Sequence, residues 1–310
     1  MGKRRSTRPH ATIVVCALLI GLTPLAVRGQ DDQSRSIVPE SFLKARPAAP
    51  QPSSKRGATY RRVGRTQPPA ETKGVAEIGV TIWRLRPAAP GDSVRLLVQE
   101  PQRASEQWTP ERVEAGTPLA VGDRVRVAIE SPRAGYLYVI DREQYAGGIT
   151  SDPYLIFPTT RARGGDNKVV AGRLTEIPAQ TDTPPYFTLR ASRPDQVAEL
   201  ITILVSQQPL PDVTPGATVL LLKPDTVAAW LKGGGRIVEQ LEMNGGAGRA
   251  WSEEEQRAGA DSTRLLTQHE PLPQTVFRVL TTSPALVAAQ FTLSHAKTGG
   301  VSDGTRRKPQ

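Results

Sequence analysis

The stretch from Val121 to Pro158, VGDRVRVAIESPRAGYLYVIDREQYAGGITSDPYLIFP, constrains the fold more than any other part of the chain. Within it Val125, Val127 and Ile129 alternate with Arg124, Arg126 and Glu130. That two-residue period belongs to a strand with one face on a core and the other toward water. Gly, Pro and Asp turns divide the stretch into three successive strands. Tyr136 to Ile140 and, further on, Leu200 to Val205 are apolar at every position but Thr202. Such runs predict central strands covered on both faces.

The ends of the chain carry other signals. Lys3, Arg4, Arg5 and Arg8 precede a run from Ala11 to Val27 that is apolar except for Thr12, Gly21, Thr23 and Pro24. This is the layout of a secretory signal, with cleavage expected before Gln30 after Val27 and Gly29. The run is shorter than the ~20 residues of a membrane-spanning helix, which argues against an uncleaved anchor. Cys16, the single cysteine, lies inside that run behind Val14 and Val15, so neither a lipid anchor nor a mature thiol is expected. Disulfides, thiolate catalysis and cysteine metal sites are thereby excluded from the mature chain.

The net charge of +10 suggests nucleic acid until it is located. Residues 1–30 hold 5 basic and 0 acidic side chains, residues 31–75 hold 9 and 4, and residues 76–310 hold 26 and 26. The foldable part is neutral and has no global electrostatic reason to seek phosphate backbones. Residues 30–74, rich in Pro, Ser, Gln and Ala, read as a disordered Pro/Arg-rich linker. Lys55, Arg56, Arg61, Arg62 and Arg65 give this linker a weak cationic contact to an anionic surface.

A single β-domain is expected over residues 75–296, followed by a disordered tail, 297–310. Ile78, Val80 and Ile82 mark its first strand, and further strands are expected at Ser93 to Gln99, Lys168 to Val170, Arg173 to Ile177, Glu199 to Ser206, Thr275 to Thr281 and Ala285 to Leu293. Pro224-Asp225 ahead of Val227, Trp230 and Leu231 predicts a short helix ending at Gly233 to Gly235. Ser252 with Glu255 forms the capping-box pattern of a second. The expected fold is mainly β: an immunoglobulin-like antiparallel β-sandwich of about 8–10 strands with two short inserted helices.

The run from Val121 to Thr159, with GGDNKVVAGRLTEIP at 164–178, ITILVS at 201–206 and AWSEEEQRAGADSTRLLTQHEPLPQTVFRV at 250–279, resembles the bacterial family catalogued as domain of unknown function 4384. The Gly-Tyr-Leu-Tyr-Val block followed by a Phe-Pro turn is the most specific part of the likeness, which covers roughly residues 75–295. The resemblance implies an exported domain that stands alone or is appended to caspase-like peptidases or kinases, with no catalytic residues to carry over. No kinase glycine loop or His-Arg-Asp motif is present, and no mature cysteine could serve a caspase.

Candidate sites are sparse. Outside the signal only His269 and His295 remain, so a histidine metal site or a serine triad is hard to assemble. Asp141, Glu143, Asp152 and Asp166 are expected in loops, where two acids ~5–10 Å apart would suit a glycosidase and oxygen ligands would suit Ca²⁺. Turn-forming, solvated acids are the plainer reading. Tyr136, Tyr138, Tyr145, Tyr154 and Phe157 concentrate aromatic surface around one hairpin. Tyr136 and Tyr138 are expected in the core, whereas Tyr145 is the best candidate for an exposed recognition ring. Trp230 and Trp251 are expected to anchor their helices; Trp83 points away from Ile78, Val80 and Ile82 and needs a cover, and Trp108 is undecided. The expectation is a non-catalytic exported binding module of the cell envelope. Tyr145, Tyr154, Trp83, Trp108, Asp141 and Asp152 are its candidate contacts, an envelope protein or polysaccharide its partner, with no metal or cofactor. The alternative is a carboxylate-dependent hydrolase acting on a glycan.

Overall fold

The structure, a computed structural model, describes residues 44, 46–47, 58–63, 74–98, 105–261, 263–281 and 283–296. The expected signal (1–29) and tail (297–310) lie outside the described residues. Two antiparallel sheets face each other. The first runs β1 (Tyr60–Val63), β14 (Arg236–Met243), β15 (Thr275–Leu280), β2 (Val75–Pro87), β4 (Glu106–Val113) and β3 (Leu96–Val98). On it β5 (Arg124–Glu130) pairs with β2, β10 (Leu174–Ile177) and β11 (Phe187–Thr188). The long β2 organises this sheet. One edge pairs first with β15 and then with β4, while β5 occupies the other.

The second sheet runs β13 (Leu220–Leu221), β8 (Tyr154–Phe157), β6 (Gly135–Asp141), β12 (Gln196–Ser206) and β16 (Leu286–Ser294). Short β7 (Glu143–Tyr145) and β9 (Lys168–Val169) pair with β12 and β6. As the two-faced apolar runs require, β6 and β12 lie at its centre.

Alternation fills the space between the sheets. Ile78, Val80 and Ile82 of β2 and Val125 and Ile129 of β5 meet Leu137 and Val139 of β6 and Ile201, Ile203 and Val205 of β12. Phe277 of β15 stacks on Phe291 of β16 with ring centroids 5.0 Å apart, joining the two sheets. Each buried aliphatic or phenyl side chain contributes about 1.5–3 kcal/mol by leaving water. This interior is large enough to supply the stability of the domain.

Both outer faces are also covered. Tyr138, Ile140 and Leu204 on the second sheet pack under Leu210, Leu222 and Val227, with Trp230 and Leu231 beside them. The last three belong to helix α1 (Pro224–Gly234), whose proline sits in the first turn, where no amide partner is lost. The Tyr138 hydroxyl accepts a hydrogen bond from the Leu210 amide at 2.9 Å, so this ring is a core group. On the first sheet Trp83, Leu85 and Ala128 pack against Val94, Leu96, Val98, Tyr186 and Trp251. Trp251 leads into helix α2 (Glu253–Ala260), whose capping box forms as Ser252 and Glu255 predict. The cover that Trp83 needs is thus Trp251, at 6.0 Å between ring centroids.

Two sequence expectations are corrected. The described residues hold sixteen strands rather than 8–10, the extra ones being short or rich in charge. The segment expected as a free linker also enters the fold. β1 pairs with β14 through Tyr60 to Val63, and Arg46 is buried, its guanidinium donating to Glu130 at 2.9 and 2.6 Å and to the carbonyls of Thr267, Glu270 and Pro271. Arg61 pairs with Glu114 and Arg62 with Glu239, so these two charges are spent inside the molecule. The reason is pairing at a distance: a four-residue segment with two arginines at its centre looks like linker until a partner strand about 180 positions away supplies its hydrogen bonds.

Candidate functional site

A cavity of about 260 Å³ opens between the sheets at one end of the sandwich. Its walls are the inward positions of strands already described: Val125 and Val127 of β5, Val139 of β6, Ile156 of β8, Ile177 of β10, Phe187 of β11, Ile201 of β12, and Phe291 and Leu293 of β16. Thr188 and Arg190, both exposed, lie among its lining residues and mark its mouth. The walls are apolar because they continue the core.

Three carboxylates line the same cavity: Asp141, Glu143 and Glu199. Alternation places them there. Leu137, Val139 and Asp141 share one face of β6, and Glu199, Ile201, Ile203 and Val205 share one face of β12, so both acids occupy positions that elsewhere on these strands hold core aliphatics. The register sets Glu199 directly opposite Glu143, and Asp141 one step along. Like charges at directly opposed positions repel.

Neutral groups answer part of this demand. Gln196 Nε2 donates to Glu199 Oε1 at 2.8 Å, and the hydroxyls of Tyr145 and Ser192 donate to Glu143 Oε2. His295, buried at the end of β16, places Nε2 3.3 Å from Glu199 Oε1, and burial holds its pKa below the ordinary value, which favours the neutral ring. Apart from each other, Asp141 Oδ1 and Glu199 Oε2 find no hydrogen-bond donor among the described residues. The two carboxyls contact each other, a hydrogen bond that exists only when one carries a proton. Burial, reinforced by the neighbouring acids, pushes Asp141 up to about 6 and Glu199 up to about 9. Near neutral pH the pair therefore holds one proton and one negative charge.

The residues singled out in the sequence scatter. Asp141 lies at the cavity; Asp152 and Asp166 are exposed and do not line it. Tyr145 is a correction: its ring is only 8% exposed, lies under the Arg193 guanidinium at 4.2 Å and turns its hydroxyl to Glu143, so it supports the acids rather than standing free. Its neighbours Ala146 and Gly147 are exposed, which is why local composition misleads. Tyr154 is 38% exposed on β8, opposite exposed Leu221 of β13 and away from the cavity lining. Trp83 is buried, and half-buried Trp108 lies under Arg124 at 4.2 Å. His269 is exposed in its loop. Among the described residues no group of three or more His, Cys, Asp or Glu is arranged to hold a metal ion.

Glu199 was missed, although its signal is visible. It heads the alternation Glu199, Ile201, Ile203, Val205, and a period-2 reading extended by one step puts a carboxylate inside. The fold and this cavity define a two-sheet β-sandwich with a ligand-sized, acid-lined chamber between its sheets. No family model, no curated protein and no solved structure matches the chain.

Proposed function

We propose that the chain is an exported, non-catalytic binding module of the cell envelope and that its ligand site is the chamber between the sheets. The observation that carries this reading is the chamber itself: apolar walls with a few convergent polar groups at one end, the general form of a small-molecule site. The sequence supports export through its signal-like first 29 residues, and the resemblance to domain of unknown function 4384 agrees with a domain that binds rather than reacts.

The alternative, a glycan hydrolase, draws on the raised carboxyl of Glu199, which has the character of a general acid. Its geometry is unfavourable. A glycosidase separates its two acids to admit the scissile bond, whereas Asp141 and Glu199 are coupled closely enough to share a proton. The test is titration with a small apolar fluorophore, read by its emission and by displacement with short alkyl compounds. Binding by the wild-type chain, lost in Val127→Phe with the fold intact by circular dichroism, supports the chamber as the site. Hydrolysis of a glycan that disappears in Glu199→Gln would favour the alternative.

A further inference from the structure

We infer that the chamber takes an amphipathic organic cation, with an aliphatic or aromatic body between the sheets and a protonated amine against Asp141, Glu143 and Glu199. This rests on the binding reading above and names its ligand class.

Buried acids elsewhere in the molecule have partners within the chain. Glu130 is held by Arg46, Glu176 by Arg126 and Glu239 by Arg278, while Glu242 is satisfied by the side chains of Gln240, Gln274 and Thr275. At the chamber no arginine or lysine pairs with Asp141, Glu143 or Glu199 among the described residues; His295 lies 3.3 Å from Glu199, Arg190 lines the mouth and Arg193 sits over Tyr145. Glu199 is only 6% exposed, lines the chamber and has one oxygen without a donor. In the free site the proton shared between Asp141 and Glu199 answers this oxygen, and a ligand that takes the site has to replace that proton. A purely apolar ligand fills the space and leaves that oxygen unanswered, and an anion adds a further negative charge to three acids. An ammonium brings three N–H donors on a compact positive head, and charge-assisted hydrogen bonds are the strongest that such a site can form.

The protonation balance follows. The groups facing the amine are Asp141 from β6, Glu143 and Tyr145 from β7, Glu199 and Gln196 from β12, Ser192 ahead of β12, His295 after β16 and Arg190 after β11. With Asp141 titrating at about 6 and Glu199 at about 9, the free pair carries one proton between those pH values. Docking of R–NH₃⁺ leaves both carboxyls ionised and expels that proton to solvent, so charge is conserved: one positive head enters and one proton leaves. Affinity for the amine accordingly rises with pH from 6 to 9.

The experiment is calorimetric titration of the full chain at pH 7.5 with hexylamine, hexanol and hexanoate, in two buffers of different ionisation enthalpy. Hexylamine is expected to bind about tenfold more tightly than hexanol, the margin of one charge-assisted over one neutral hydrogen bond, with release of up to one proton. Glu199→Gln is expected to abolish the proton release and most of the preference. Asp141→Asn serves as the second variant, and thermal melts of both report folding. Equal binding of amine and alcohol, or tightest binding of hexanoate, would falsify the cation assignment while leaving the chamber a binding site. Binding of none of the three overturns the binding reading as well.

Discussion

Two sets of buried acids in this protein live under different regimes. On the outer side of the first sheet, Glu130 and Glu176 are wholly enclosed, and each has a guanidinium within 2.6 Å, from Arg46 and Arg126. At the chamber, Asp141 and Glu199 lean on an amide, a neutral imidazole and each other. The first arrangement neutralises charge within the chain and locks segments distant in sequence together. The second manages charge by holding a proton, which makes it responsive to pH and to an incoming cation. Even the first is expensive: burial pushes Glu176 up and Arg126 down, each away from its charged form, so desolvation outweighs the attraction between them.

Among substitutions, removing one member of a locked pair should have the largest effect. Arg46→Ala leaves Glu130 buried without its guanidinium and is expected to cost about 3–5 kcal/mol in urea denaturation. A loss under 1 kcal/mol would break the contrast, because it would place Glu130 in the same class as the chamber acids. An effect of comparable size is one of pH. Asp141 and Glu199 have folded pKa values above those of the unfolded chain, so between about pH 4.5 and 9 the native state binds more protons than the unfolded state. Stability must then fall as pH rises through that window, by on the order of 5 kcal/mol from pH 5 to 8. Glu199→Gln should flatten the decline, measured as unfolding free energy against pH.

Smaller effects sharpen the locked side. Gly259 on α2 lies against the Glu176 carboxyl, and a Cβ there would fall 2.1 Å from Oε1. Gly259→Ala is expected to destabilise by about 1–2 kcal/mol by overpacking, although alanine is the better helix former. A gain in melting temperature would show that Glu176 is free to move. Ser252→Ala removes the cap of the same helix and should cost about 1 kcal/mol, again by denaturation.

The strands that form the core were legible because burial on one face writes itself into alternation: β5, β6, β12, β15 and β16 all carry it. The helices were legible from their ends, Pro224, Gly235 and the Ser252–Glu255 box. β14 and β4 were not. In β14 a register shift between Ile237 and Glu239 breaks the period, and Glu239 and Glu242 are buried where a sequence reading expects water. In β4 Pro110 sits within the strand, tolerated because its amide side is not needed: its carbonyl accepts from the Trp251 amide at 2.8 Å. The site was half legible. Asp141 and Glu143 stood out as acids near a turn, but their convergence with Glu199 depends on the pairing of β7 with β12 across more than fifty residues, which local pattern does not encode.

Arg46 also imposes an order of events. Its partners lie 84 positions onward at Glu130 and 221 to 225 onward at Thr267, Glu270 and Pro271. A ribosome releases it early, yet its seat is not built until the segment just ahead of β15 has been made. Nearly the whole chain must be synthesised before this early residue can settle, so the seating of Arg46 is a marker of completion: a product truncated before Pro271 would lack it.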